Sequence, residues 1–156
     1  MKFSAFVVTE AIRTDLKADT ARTAVDEMVG DLIAAGAVAK SQRRRLVDAV
    51  LRREKKGTTG FGNGVAIPHA KHDGVSGVVG TVALSERGID FEALDGQPVR
   101  LIFLLLSNPE APEEHLKAME HIFRSIKNDH LRRFMSEASS RGELVDVLRE
   151  ADEESG

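Results

Sequence analysis

Along this chain the apolar positions change their period several times, and each change predicts an element. Val99 to Leu106 is an almost unbroken apolar run of strand length, the pattern of a strand covered on both faces and so of a sheet's centre. Val78 to Leu84 predicts a second strand. Val65-Ala66-Ile67 predicts a short third one, closed by Pro68, which lacks a backbone donor and biases Ile67 toward an extended conformation. Between Thr20 and Ala35, the spacing of Ala21, Val25, Met28, Leu32 and Ile33 predicts a helix that Gly36 stops. Ser41 is placed to cap a second helix reaching about Lys55, with Leu46, Val47, Val50 and Leu51 on its buried stripe and Gly57 at its end. Pro112, with Glu113 and Glu114 behind it, opens a helix whose core stripe is expected to be Leu116, Met119, Phe123 and Ile126. Asp129 to about Ala138 predicts a shorter helix. Ser140 and Glu143 predict a capping box for a last one that carries Leu144, Val145 and Leu148. Residues 3–16 suggest an irregular lead-in with room for one strand, and residues 151–156 a frayed acidic tail after a domain of residues 1–150. The strands are joined by loops instead of helices, so at least part of the sheet is expected to be antiparallel.

Composition narrows the function. The 156 residues fit one domain, the net charge is −3 and the pI is about 6.0, so no global field draws the protein to nucleic acid or to an anionic membrane. Trp and Tyr are absent, which removes most of the usual base-stacking surface. Cysteine is absent too, excluding a disulfide, a thiolate metal site and a cysteine nucleophile. No apolar run approaches the length of a membrane span or a signal peptide, and the expected location is the cytoplasm without membrane insertion.

Candidate chemistry gathers around Gly57-Thr58-Thr59-Gly60-Phe61-Gly62-Asn63-Gly64 and the histidine that follows, His69. No Gly-Lys-Ser/Thr follows the glycines, and they open into a strand, so neither a nucleotide-triphosphate loop nor a dinucleotide fingerprint is present and no cofactor is expected. Free amides at Gly62, Asn63 and Gly64 beside an imidazole would suit a phosphoryl group that arrives and leaves. A glycine-rich turn with an incidental histidine is the plain alternative. Arg52-Arg53-Glu54 falls in the last turn before the glycines, where one arginine could reach the same anion, although cations there also suit the helix dipole. Arg43-Arg44-Arg45 is expected to be a solvated face. His72 and Asp73 offer further donors near His69, but no other ligand stands at a recognised spacing and no metal is expected. His121 and His130 have charged neighbours and are expected at the surface. His115, in a first helical turn, could meet His69 at the strand's end or be a polar residue of an exposed turn.

Four segments together carry a resemblance. Arg53-Glu54-Lys55, Gly60-Phe61-Gly62-Asn63-Gly64-Val65-Ala66-Ile67-Pro68-His69, Phe91-Glu92-Ala93-Leu94-Asp95-Gly96-Gln97-Pro98-Val99 and Glu114-His115-Leu116 resemble the enzyme IIA domain of the bacterial phosphoenolpyruvate-dependent phosphotransferase system, of the fructose, mannitol and nitrogen-regulatory type, over nearly the whole chain. The resemblance implies a single α/β domain with a mixed parallel and antiparallel sheet flanked by helices. It implies a phosphotransferase with a phosphohistidine intermediate: His69 as the nucleophile that accepts phosphoryl from an HPr-type donor, His115 as the second histidine that hydrogen-bonds the phosphoryl group, and Arg53 as the nearby cation. Ala70 stands where many members have glycine. Downstream, a regulatory target in a nitrogen branch is the expectation. A sugar-specific role would need a separate IIB protein, since this chain lacks the cysteine such acceptors use, and a regulator-binding module without phosphorylation is the contrasting possibility.

Overall fold

The structure, a computed structural model, describes residues 1–155 apart from the side chains of Phe61 and Ser155. Its organiser is the apolar run, which forms strand β5 (Val99–Ser107) at the centre of the sheet. On one side β5 pairs antiparallel with β4 (Val78–Ile89), which runs past the expected Leu84. On the other side it pairs parallel with β2 (Val65–Ala66) and with β3 (His69–Lys71). Val65 faces Leu101 and His69 faces Leu105 in one unbroken register, so β2 and β3 are a single strand interrupted where Pro68 cannot donate. A short β1 (Gly60–Gly62) pairs antiparallel with β2. The sheet is mixed, as the resemblance implied.

Helices cover both faces, and the alternation of β5 decides which residue meets which layer. Ile102, Leu104 and Leu106 pack with α2 (Ala21–Ala34) and α3 (Arg43–Lys56), whereas Leu101, Phe103 and Leu105 pack with α1 (Phe3–Phe6), α4 (Pro112–Lys127), α5 (Asp129–Glu137) and α6 (Arg141–Ser155). Removing each such Leu or Phe from water contributes about 1.5–3 kcal/mol. The same alternation puts His69 on the face of Val65 and Ile67, and turns Ser107, at the end of β5, toward α4.

Several local expectations change. Residues 3–16 form α1 and a 3-10 turn at Thr9–Ala11 with isolated bridges to β4, not a strand. Helix α2 has a reciprocal Thr20–Thr23 cap and stops before Gly36, at φ 77°. Ser41 lies in a 3-10 turn (Lys40–Gln42), and α3 starts at Arg43 without a side-chain cap. Arg43 is not merely solvated, because its guanidinium holds Asp26 at 3.0 and 3.1 Å. In α4 the buried stripe is Ala118, His121, Ile122, Ser125 and Ile126, with Leu116 59% exposed. Small and polar residues on that face hid it from a reading of apolar spacing. Ser140 accepts from the Glu143 amide, but the Glu143 carboxylate bonds Ser139 instead, so half of the capping box is made. The expected tail is helical to Ser155 and buries Ala151 and Asp152, while Gly156 lies outside the described residues.

His121 is the largest correction. Its ring is buried, packs against Phe3 at a tilt of 51° with centroids 4.3 Å apart, and lies 2.8 Å from Asp152 through Nε2. Asp152 also accepts the amides of Phe3 and Ser4, so one carboxylate joins α1, α4 and α6. His130 is exposed, beside Glu150 and Phe134.

Candidate active site

Three elements end at one place. β3 is the edge strand at this end of the sheet, so the last turn of α3 reaches it from one face and the first turn of α4 from the other. Between them lies a cavity of about 450 Å³ lined by His69 and Lys71 of β3, Arg52, Arg53 and Lys56 of α3, and His115 of α4. Among the described residues, four cations border it and no carboxylate does, which favours an anion.

The rings of His69 and His115 are 5.8 Å apart, centroid to centroid. His69 Nδ1 is 2.7 Å from the carbonyl oxygen of Ile67. A carbonyl can only accept, so Nδ1 carries a proton and donates it, leaving the lone pair of the neutral ring on Nε2. Burial pushes the His69 pKa below the ordinary 6.5; the Ile67 bond works against this, and the charges of Arg53 and Lys71 add to it. His115 is driven further, to about 4, by burial and then by the charges of His69 and Lys71. Both rings are therefore neutral at neutral pH. His115 Nδ1 lies 2.6 Å from Ser107 Oγ. Its helix starts from a loop held by Asn108, whose side chain donates to Val75 and accepts from the Glu110 amide.

Arg53 is half-buried and donates from Nη1 to the Gly57 carbonyl at 2.8 Å. Next to it, Glu54 holds the amide and hydroxyl of Thr59 at 2.7 and 2.5 Å, strapping the departing chain to α3. Thr59 in turn accepts from the Ile67 amide, so Glu54 braces the segment whose carbonyl fixes His69. Ala70 lies in β3 without positive φ, its methyl group in the core under α3, so alanine fits where glycine was expected. His72 Nδ1 accepts from the Gly74 amide in a turn.

Gly62-Asn63-Gly64 is not brought to His69. Asn63 and Gly64, at φ 58° and 76°, form the two-residue turn between β1 and β2, a turn type that needs positive φ at both positions. That turn sits beside the start of β5, where β2 pairs Val65 with Leu101; His69 pairs four residues further on, about 13 Å away along the strand. The Asn63 amide already donates to the Asp95 carboxylate at 3.1 Å. Asn-Gly between two apolar runs is a hairpin signal, and here it outweighs the phosphate reading of the glycines.

Sequence comparison adds a family to the geometry. Residues 5–151 match the family described as phosphoenolpyruvate-dependent sugar phosphotransferase system, EIIA 2. A nitrogen regulatory protein of Bradyrhizobium diazoefficiens is 35% identical over 148 residues, 95% of either chain. A fructose-specific EIIA component of Haloferax volcanii is 37% identical over 131 residues, 84% of either chain. The fructose-specific EIIABC component of Bacillus subtilis is 31% identical over 97% of this chain, which spans only 24% of that protein. Among solved structures, the nitrogen regulatory protein IIA-Ntr of Neisseria meningitidis superposes with a TM-score of 0.83 at 28% identity, covering 94% of this chain and 98% of that one.

Proposed function

Because the chain belongs to the EIIA 2 family of the phosphoenolpyruvate-dependent sugar phosphotransferase system, we propose that it is a phosphoryl carrier in which His69 takes phosphoryl from an HPr-type donor. The observation that carries this reading is the His69 ring, with Nδ1 tied to Ile67 at 2.7 Å and the rest of it in a cavity of four cations opposite His115. In the step itself, the Nε2 lone pair forms the new N–P bond as the donor's N–P bond breaks, and that electron pair stays on the donor nitrogen. His69 keeps its Nδ1 proton, so no base is required. His115 hydrogen-bonds the arriving oxygens, and Arg53 supplies charge with Arg52, Lys56 and Lys71 around it. Phosphoryl transfer spreads charge over the equatorial oxygens, so placed donors and positive potential supply most of the acceleration.

Downstream, the reading is regulatory: the phosphorylation state of His69 governs binding to a target protein in a nitrogen branch. Support comes from the end-to-end likeness to the Bradyrhizobium protein and from the likeness to IIA-Ntr. A second reading, transfer to a separate IIB protein in sugar uptake, draws on the Haloferax relative, which matches over most of its length. No described helix is long and apolar enough to cross a membrane.

Incubation with an HPr-type donor, its enzyme I and phosphoenolpyruvate should add one acid-labile phosphate to the wild type and none to His69→Ala, read by intact mass. No addition to the wild type would sink the carrier reading and favour the module that binds without phosphorylation. Passage of the label to a cysteine-containing IIB protein would move the protein to the sugar branch.

A further inference from the structure

Ser107 is fully buried at the end of β5, eight residues before the histidine it touches. Its hydroxyl has one proton to place. Among the described residues, the only hydrogen-bond partner of Ser107 Oγ is His115 Nδ1, at 2.6 Å. Were Nδ1 to donate instead, the hydroxyl proton would be buried with no acceptor, a larger penalty than leaving an oxygen lone pair unused. The hydroxyl is therefore the donor and Nδ1 the acceptor.

We propose that Ser107 is a positioning residue of the phosphoryl site, whose hydroxyl holds the His115 ring with its proton on Nε2. The inference rests on the phosphoryl-carrier reading for its purpose, though not for its geometry. It makes the two histidines opposite tautomers: His69 carries its proton on Nδ1 and offers a lone pair, and His115 carries its proton on Nε2 and offers a donor. A nucleophile and a hydrogen-bond donor are what phosphoryl uptake needs from the pair, and two buried neighbours, a carbonyl and a hydroxyl, assign the roles. The bond to Ser107 also resists rotation of the ring, keeping the donor aimed.

The tautomers can be read without activity, by long-range proton–nitrogen correlation on 15N-labelled protein at pH 7.5. In the wild type His115 should show a protonated, pyrrole-type Nε2 and a hydrogen-bonded, pyridine-type Nδ1, and His69 the reverse. In Ser107→Ala the His115 Nδ1 signal should move away from its hydrogen-bonded position while His69 stays unchanged. Phosphoryl uptake should then slow about tenfold, less than the hundredfold or more that follows outright removal of such a donor, and Ser107→Thr should restore both the signal and the rate. A wild-type His115 protonated on Nδ1 overturns the proposal, as does a folded Ser107→Ala with unaltered His115 signals and rate. The wild-type spectrum decides the tautomer even if the alanine variant does not fold. A wild type that takes up no phosphoryl overturns the carrier reading instead, and leaves the tautomers to be judged from the spectra.

Discussion

His69 and His121 are both histidines whose affinity for protons is lowered first by burial, and each has a ring nitrogen held by an oxygen acceptor. They lie on opposite sides of a functional divide. His121 meets a carboxylate that also gathers the amides of the first helix, and its ring packs at a tilt against Phe3. The ring joins three helices and is closed to a substrate. His69 meets a neutral carbonyl, and the rest of its ring borders a cavity of cations. A histidine becomes a candidate nucleophile through what faces its second nitrogen, more than through its pKa.

The largest expected effect tests that contrast directly. His69→Ala should abolish phosphoryl uptake and leave the thermal transition near that of the wild type, because the ring lines a cavity at the sheet's end. His121→Ala should do the reverse, costing about 3 kcal/mol of stability by opening a buried network, while the folded protein still takes up phosphate. Calorimetry and intact mass on the two variants settle it. Loss of uptake in a folded His121→Ala would erase the divide.

Next in size is His115→Ala. Removing one placed donor should slow uptake by about 100-fold without abolishing it, as followed by quenched-flow labelling. Should His115→Ala abolish uptake while His69→Ala retains it, the nucleophile has been misassigned and the comparison belongs to His115.

Acidity separates the sites further. Nε2 of His69 is a nucleophile only while the ring is neutral, and burial holds its pKa below the ordinary 6.5, so the acid-side decline in uptake should lie at lower pH than an ordinary histidine would give. Stability has the same sign. His69, His115 and His121 all have lowered pKa values, so the unfolded chain takes up protons first as the pH falls through 6.5, and the stability present above that value is progressively lost. His115 extends its share of the loss down to about pH 4. Melting curves of wild type and His115→Gln between pH 8 and 4 should converge on the acid side. Curves that stay parallel would show that His115 is not held neutral by the fold.

What was legible in the sequence follows the same divide. The central strand and the helix that begins at Pro112 were readable, because an apolar run and a proline at a first helical position are local signals; the meeting of His69 with His115, 46 residues apart, stayed open on the residues alone and was implied only by the resemblance. His121 was not, because its partner Asp152 is 31 residues away and sits in a segment whose acidic composition imitates a frayed end. The hairpin at Asn63-Gly64 was readable in principle but was masked by the glycines on either side of it. Ser107 lies just beyond the apolar run that predicts the central strand; only the register of β5 shows that it faces α4. Glu54 lies within the Arg53-Glu54-Lys55 segment, yet its hold on Thr59 depends on how the chain turns after α3.

The smallest expected effect concerns Arg53 and shows how much of the cavity's work is shape and how much is charge. In the absence of a phosphoryl group, Arg53 donates to the Gly57 carbonyl and is half-buried at the cavity's edge, with Arg52, Lys56 and Lys71 lining the same cavity. Arg53→Lys preserves the field and removes only the planar fork that matches two phosphoryl oxygens. Uptake should slow about fivefold, less than for His115→Ala, since the remaining cations still attract the anion and both histidines are untouched. Salt distinguishes the two contributions: screening acts over about 10 Å at 0.1 M ionic strength and weakens an exposed charge far more than a short bidentate contact. If Arg53 grips the phosphoryl group, the ratio of wild-type to Arg53→Lys rates should persist at high salt. If it acts only through its field, the two proteins should have equal rates at every salt concentration and slow together as salt rises, and Arg53 would be one cation among four.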